Sequence, residues 1–142
     1  MLNGKKVAVY VRVGNKNDLS VDNQKKWLTE YCQNKKLEQY EFYIDNGYSG
    51  NNLERPAIQK LIEDASEEKL SHCIVYELSR LSRSTKDTLH VINDFLIPNG
   101  VNFISLIDSL DTSTSLGKHI INVSTVMDST KRGITICQKT KR

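Results

Sequence analysis

Arg80 and Arg83 stand three residues apart, directly after the apolar run His72-Cys73-Ile74-Val75-Tyr76. On one helical turn two guanidinium forks point the same way. Planar and permanently charged, they suit a phosphate. A third cation, Arg12, interrupts the apolar run Lys6-Val7-Ala8-Val9-Tyr10-Val11-Arg12-Val13 near its C-terminal end. A charge in such a run is costly unless it reaches a partner or the rim. Asp45 closes a further run, Tyr40-Glu41-Phe42-Tyr43-Ile44. In open α/β sheets ligands gather outside the carboxyl ends of the strands, so Arg12, Asp45, Arg80 and Arg83 converge on one edge. The competing reading of Arg80 and Arg83 is two solvated surface arginines.

The elements that must position these groups follow from periodicity. Ser20 caps a helix running to about Asn34, with Trp27, Leu28, Tyr31 and Cys32 on one face. Asp45-Asn46-Gly47-Tyr48-Ser49-Gly50-Asn51-Asn52 is a loop in which Gly47 and Gly50 allow unusual backbone angles. Pro56 opens a helix whose Ile58, Leu61, Ile62 and Ala65 form an apolar stripe. Ser84-Thr85-Lys86-Asp87 fits a capping box and opens another, with Leu89, Ile92, Phe95 and Leu96 facing in and Pro98-Asn99-Gly100 as its stop. Val101-Asn102-Phe103-Ile104-Ser105-Leu106-Ile107 is a fourth strand, and residues 108–115 are a Ser/Thr loop. A last helix from about 115 carries Leu116, Ile120, Val123 and Met127, spaced for a seam against a second helix or for lying on its own sheet. Strands alternating with helices predict an α/β fold: one domain over 1–142, its mostly parallel sheet of four to five strands flanked by helices.

Composition narrows the class. Of 142 residues, 26% are charged and 38% hydrophobic, as in an ordinary soluble globule. No apolar run approaches the ~20 residues of a membrane span, and Met1-Leu2-Asn3-Gly4-Lys5-Lys6 has no signal-peptide core behind it. A cytoplasmic protein with no membrane role is expected. Cys32, Cys73 and Cys137 lack a CxxC, and His72, His90 and His119 lack ligand spacing, so neither metal nor cofactor is expected. The net charge is +3, but Lys131, Arg132, Lys139, Lys141 and Arg142 put five cations and no acid after residue 130. That leaves about −2 on the first 130 residues. A basic end on a slightly acidic body suits a nucleic-acid arm or a solubilising tail.

Six motifs then occur in one order: Val9-Tyr10-Val11-Arg12-Val13, Asp22-Asn23-Gln24, Tyr31-Cys32, Asp45-Asn46-Gly47-Tyr48-Ser49-Gly50, Glu54-Arg55-Pro56 and Leu78-Ser79-Arg80-Leu81-Ser82-Arg83. In order and spacing they resemble the catalytic domain of serine site-specific recombinases, the resolvase/invertase family. The Ser79 form of the arginine motif and the Tyr-Ser-Gly loop are more similar to its large integrase/transposase branch. The resemblance implies metal-free DNA strand exchange in a homo-oligomer, a dimer or a tetramer on DNA. A serine after the first-strand arginine attacks a DNA phosphate, leaving a phosphoserine link and a free 3′-hydroxyl. It implies Arg12, Arg80 and Arg83 as the phosphate cluster, Gln24, Asp45 and Arg55 as supporting groups, and Arg132 as the last-helix arginine. DNA contacts are expected from Arg80, Arg83, Lys131, Arg132 and Lys139.

The chain departs from that pattern. The nucleophile position is Gly14, which has no hydroxyl, so the covalent step is expected to fail, whether the glycine is natural or engineered. Lys131 stands where an acid is usual. Gly133 and the β-branched Ile134-Thr135-Ile136 oppose a long last helix, and no DNA-reading helix-turn-helix or zinc ribbon is recognisable. The alternative function is a non-catalytic module of the same fold that binds DNA or dimerises with an active recombinase. A remaining rival is Asn15-Lys16-Asn17-Asp18, similar to the guanine-reading NKxD loop of GTPases. The chain lacks the GxxxxGK[ST] phosphate loop such a protein needs.

Overall fold

The computed structural model describes residues 4–117. Strand β1 (Lys6–Val13) is the axis of a five-stranded sheet, with β2 (Tyr40–Asn46) on one side and β3 (Leu70–Val75), β4 (Asn102–Ser105) and β5 (Leu110–Asp111) on the other, in the order β2-β1-β3-β4-β5. All pairings are parallel except β4–β5. The α/β class and the mostly parallel sheet read from the sequence are both observed.

The near-continuous apolar character of β1 has a direct cause: every residue from Val7 to Val13 is buried. Side chains alternate across the sheet. Val7, Val9 and Val11 pack with Leu28 and Cys32 of α1 (Val21–Asn34). Ala8 and Tyr10 pack with Ile58, Leu61 and Ala65 of α2 (Pro56–Ser66). The same alternation sends Arg12, two residues beyond Tyr10, toward the α2 layer. Ser20 caps α1 by accepting from Asn23 N, as read from the sequence. In α2 Pro56 occupies the first turn, again as expected, but the N-cap residue Arg55 makes no side-chain cap bond.

Two stretches differ from expectation. The helix read through residue 97 breaks into α3 (Thr85–His90), a π-helical stretch Val91–Leu96 and a 3₁₀ turn Ile97–Asn99 that ends at Gly100, φ 76°. The wider π turn buries Val91, Ile92 and Leu96 together and leaves Phe95 half-buried, its ring edge-on to His90 at 5.1 Å. The fourth strand stops at Ser105, and the Ser/Thr loop holds a short strand: Leu110 pairs with Ser105 and Asp111 with Ile104. The Thr112 hydroxyl and backbone N–H close that ladder on Phe103. Leu116 is 68% exposed; Ile120, Val123 and Met127, the rest of the expected seam, lie outside the described residues. No helix among the described residues is long and apolar enough to cross a membrane.

Candidate active site

Arg12 emerges at the carboxyl end of β1 with no solvent exposure. Its fork is filled by main-chain carbonyls: Nε donates to Arg80 O (3.1 Å), Nη1 to Tyr48 O (3.2 Å) and Nη2 to Ser79 O (2.8 Å). Burial, then Arg80 and Arg55 nearby, pull its pKa below the ordinary arginine value. Arg12 thereby ties the loop after β2 to the loop after β3.

Arg55 reaches the same place from the start of α2 and is 1% exposed. It donates to Asn52 O, Arg80 O, Leu81 O and the Tyr10 hydroxyl. Tyr10 in turn donates to Asp45 (2.6 Å). Asp45 also accepts from Ala57 N and Ile58 N, so this carboxylate, delivered by β2, supplies the cap that Arg55 does not. Burial first, and the Asp45 bond second, raise the Tyr10 pKa well above the ordinary phenol range. Gln24, fully buried, donates to Arg12 O and Leu19 O, which fixes the loop after β1 to α1.

Arg80 and Arg83 do not form a matched pair. The 3₁₀ turn Leu78–Arg80 ends before Arg83, so no single helical turn aligns them. Arg80 is 6% exposed and donates to Arg12 O (2.7 Å), to Asp18 and to Glu77 (2.9 Å). Arg83 is exposed. Of the two, it is the cation open to an incoming ligand.

Two glycines shape the site for different reasons. A Cβ on Gly50 would lie 2.8 Å from Arg12 Nη2 and 3.0 Å from Arg83 Cγ. Close approach requires that glycine, not the unusual angles expected from the sequence; the left-handed φ belongs to Gly47, at 90°. At Gly14 the backbone makes no such demand. A Cβ there would meet Arg12 Nη1 at 3.6 Å and Asp18 Oδ2 and Tyr48 O at 3.8 Å, ordinary contacts. A side chain at position 14 therefore fits and begins beside the Arg12 guanidinium.

Sequence reasoning missed Asp18 as part of this site. Its carboxylate accepts from Arg80 Nη1 (3.1 and 3.2 Å), Gly14 N (3.0 Å) and Leu19 N (2.8 Å). Burial alone would raise its pKa, but these bonds outweigh it and hold the group at about 2. In this arrangement Asp18 is bonded to Arg80 and two backbone amides and is not presented as a guanine-reading carboxylate. The position in the first loop after β1 was visible in the sequence; the partner, 62 residues away, was not. A depressed carboxylate stabilises the fold fully above its ordinary value of 3.8 and stops doing so as pH falls toward 2. Asp18→Asn should remove on the order of 2 kcal/mol of acid sensitivity in that window. Urea midpoints at pH 4 and pH 2 measure it. A variant with unchanged acid sensitivity would refute this bond set.

Ser20, Ser82 and Ser84 hold structural places. Ser20 and Ser84 cap α1 and α3, and buried Ser82 donates to Gly50 O while accepting from Ser84 N. Lys131, Arg132 and Lys139 lie outside the described residues. Among the described residues no cluster of three or more His, Cys, Asp or Glu side chains is placed to hold a metal ion.

The "Resolvase, N terminal domain" family model matches residues 7–141. The chain belongs to the resolvase family. A resolvase-family relative, the putative DNA recombinase of Bacillus subtilis (strain 168), is 35% identical over 102 residues, 69% of this chain and 20% of that protein. Serine recombinase gin of Escherichia phage Mu is 30% identical over 127 residues, 89% of this chain and 60% of gin. The solved N-terminal catalytic domain of TP901-1 integrase aligns with a TM-score of 0.86 at 38% identity, covering 93% of this chain and all of that one. The resemblance to serine recombinases read from six motifs is borne out, and so is the resolvase-like fold. The chain spans 20% to 60% of the length of these two curated relatives.

Proposed function

We propose that this chain is the catalytic-fold module of a DNA site-specific recombinase, that it engages DNA through one phosphate at the carboxyl edge of β1, and that it lacks the group that would attack. The observation that carries this is the position of residue 14: its Cβ direction opens 3.6 Å from Arg12 Nη1. A serine hydroxyl there would attack phosphorus, break the bond to the 3′-oxygen and leave that oxygen protonated, with the neighbouring cations holding charge on the phosphate. Glycine supplies none of this. The absence of the hydroxyl favours a second reading, a partner module that occupies DNA or pairs with an active recombinase without cutting. In both readings the chain acts as a homo- or hetero-oligomer with DNA as ligand.

Arg83, exposed at the rim beside Gly50, carries the test. Backbone contacts of this kind give non-specific dissociation constants of roughly 10⁻⁴–10⁻⁶ M at physiological salt. Arg83→Ala should weaken binding to two unrelated duplexes alike and reduce the salt slope by about 1, because one fewer phosphate is neutralised. Fluorescence anisotropy at three salt concentrations measures both. A variant that binds as the wild type does makes Arg83 an ordinary solvated arginine. Submicromolar binding to one duplex alone would reveal a sequence reader, against this proposal.

A further inference from the structure

Asp18 holds a place that a phosphate would fit. Its two oxygens are gripped by four hydrogen bonds: Arg80 Nη1 to both, Gly14 N to Oδ2 and Leu19 N to Oδ1. A phosphodiester offers the same features, one negative charge and two unesterified acceptor oxygens. Oδ2 lies 3.8 Å from where a side chain at position 14 would begin, so the grip is centred where the reacting phosphate belongs.

A purely structural carboxylate explains less. Two backbone amides would suffice to staple the loop, yet Asp18 also takes a guanidinium delivered 62 residues later in the chain. Nor does Arg80 need it for neutrality, since Glu77 already pairs with Nη2 at 2.9 Å. Among the described residues the buried Arg80 Nε has no acceptor, so the present contacts do not exhaust the fork. Asp18 itself borders an open cleft of about 450 Å³, with Asn15, Lys16, Asp22 and Asn46, so the carboxylate that would have to move has open space beside it. Lys16 is exposed there.

We propose that Gly14 N–H, Leu19 N–H and Arg80 form a seat for one phosphodiester oxyanion, and that Asp18 is its built-in, displaceable occupant. This deepens the DNA reading above and rests on it for the identity of the natural ligand. The seat itself is tested without DNA. Asp18 acts as a latch: with it seated, a phosphate meets a like charge on the same donors and must lift the loop to bind. Asparagine at 18 keeps one acceptor oxygen, enough for one of the two amides, and removes the competing charge.

Inorganic phosphate is the probe. Asp18→Asn should bind it about tenfold tighter than the wild type by calorimetry, an effect of the size usual for coupling between two bound groups. Equal or weaker binding by a folded variant overturns the latch. Should the variant not fold, the wild type decides. On phosphate titration the Gly14 and Leu19 amide resonances and the Asp18 carboxyl carbon should shift together along one binding curve. Shifts confined to other residues overturn the proposal. A duplex is titrated in parallel by anisotropy. Phosphate binding at the seat with no duplex binding keeps the seat and sinks the DNA reading; duplex binding with no phosphate effect of Asp18→Asn does the reverse.

Discussion

Gly14→Ser should yield a protein that links covalently to DNA, whereas the glycine chain yields none. The measurement is a denaturing gel of each protein with a nicked suicide duplex, where a protease-sensitive shifted band reports the phosphoserine link. The expected contrast is large, because removing a catalytic serine typically costs about 10⁶-fold in rate. Folding does not stand in the way: position 14 has ordinary backbone angles and meets nothing closer than 3.6 Å. What stands in the way is the engagement of the cations. Arg12 is closed onto the carbonyls of residues 48, 79 and 80, and Arg80 onto Asp18 and Glu77. For the serine to work, the loops after β1 and β2 must give way to the phosphate. A band from Gly14→Ser that strengthens further with Asp18→Asn would place both obstacles in order. A band from the glycine chain would mean another hydroxyl attacks, and Ser20, Ser82 and Ser84 could reach only by leaving their present bonds. No band from either protein, with duplex binding intact, would mean the arginine cluster is not competent in this chain.

How much of this was legible in the sequence follows from what each signal depends on. The parallel sheet was readable because strand β1 is buried on both faces, and burial on both faces selects an unbroken apolar run. Arg12 was readable as a functional position for the same reason: one charge in such a run needs a partner or the rim, and here it finds three carbonyl partners. Helices α1 and α2 announced themselves by Ser20, Pro56 and their stripes. Signals failed where the determinant was remote or too short. Strand β5 is two residues long and has no period to detect. The π turn after His90 leaves the same apolar residues in nearly the same order as an α-helix, so periodicity could not separate them. The different fates of Arg80 and Arg83 are set by Asp18 and Glu77 on one side and by the turn ending at Arg80 on the other. Two arginines three apart do not encode that. Gly50 is required by the side chains of Arg12 and Arg83, contacts that only the folded chain creates.

Arg55→Ala should cost more stability than any surface arginine change, on the order of 3–5 kcal/mol. Arg55 is 1% exposed, and its guanidinium satisfies four acceptors: Asn52 O, Arg80 O, Leu81 O and the Tyr10 hydroxyl. Alanine takes that donor from Asn52 O, Leu81 O and the Tyr10 hydroxyl, while Arg80 O keeps Arg12 Nε, and it opens a cavity beside Tyr10 and Asp45. The Asp45 carboxylate, itself 1% exposed, keeps its Tyr10, Ala57 and Ile58 donors but loses the cation that reaches it through Tyr10. A buried charge that loses its compensation is among the few mechanisms that give losses of this size. A domain of this size is stable by only about 5–15 kcal/mol, so Arg55→Ala brings it near unfolding. Urea titration followed by circular dichroism is the measurement. With slopes of about 1–3 kcal/mol per molar urea, the midpoint should fall by roughly 2 M. Arg83→Ala is the internal control, because an exposed arginine is worth within about 0.5 kcal/mol. If the two variants melt together, Arg55 is not the post on which the loops after β1, β2 and β3 are hung, and its burial is incidental to the site.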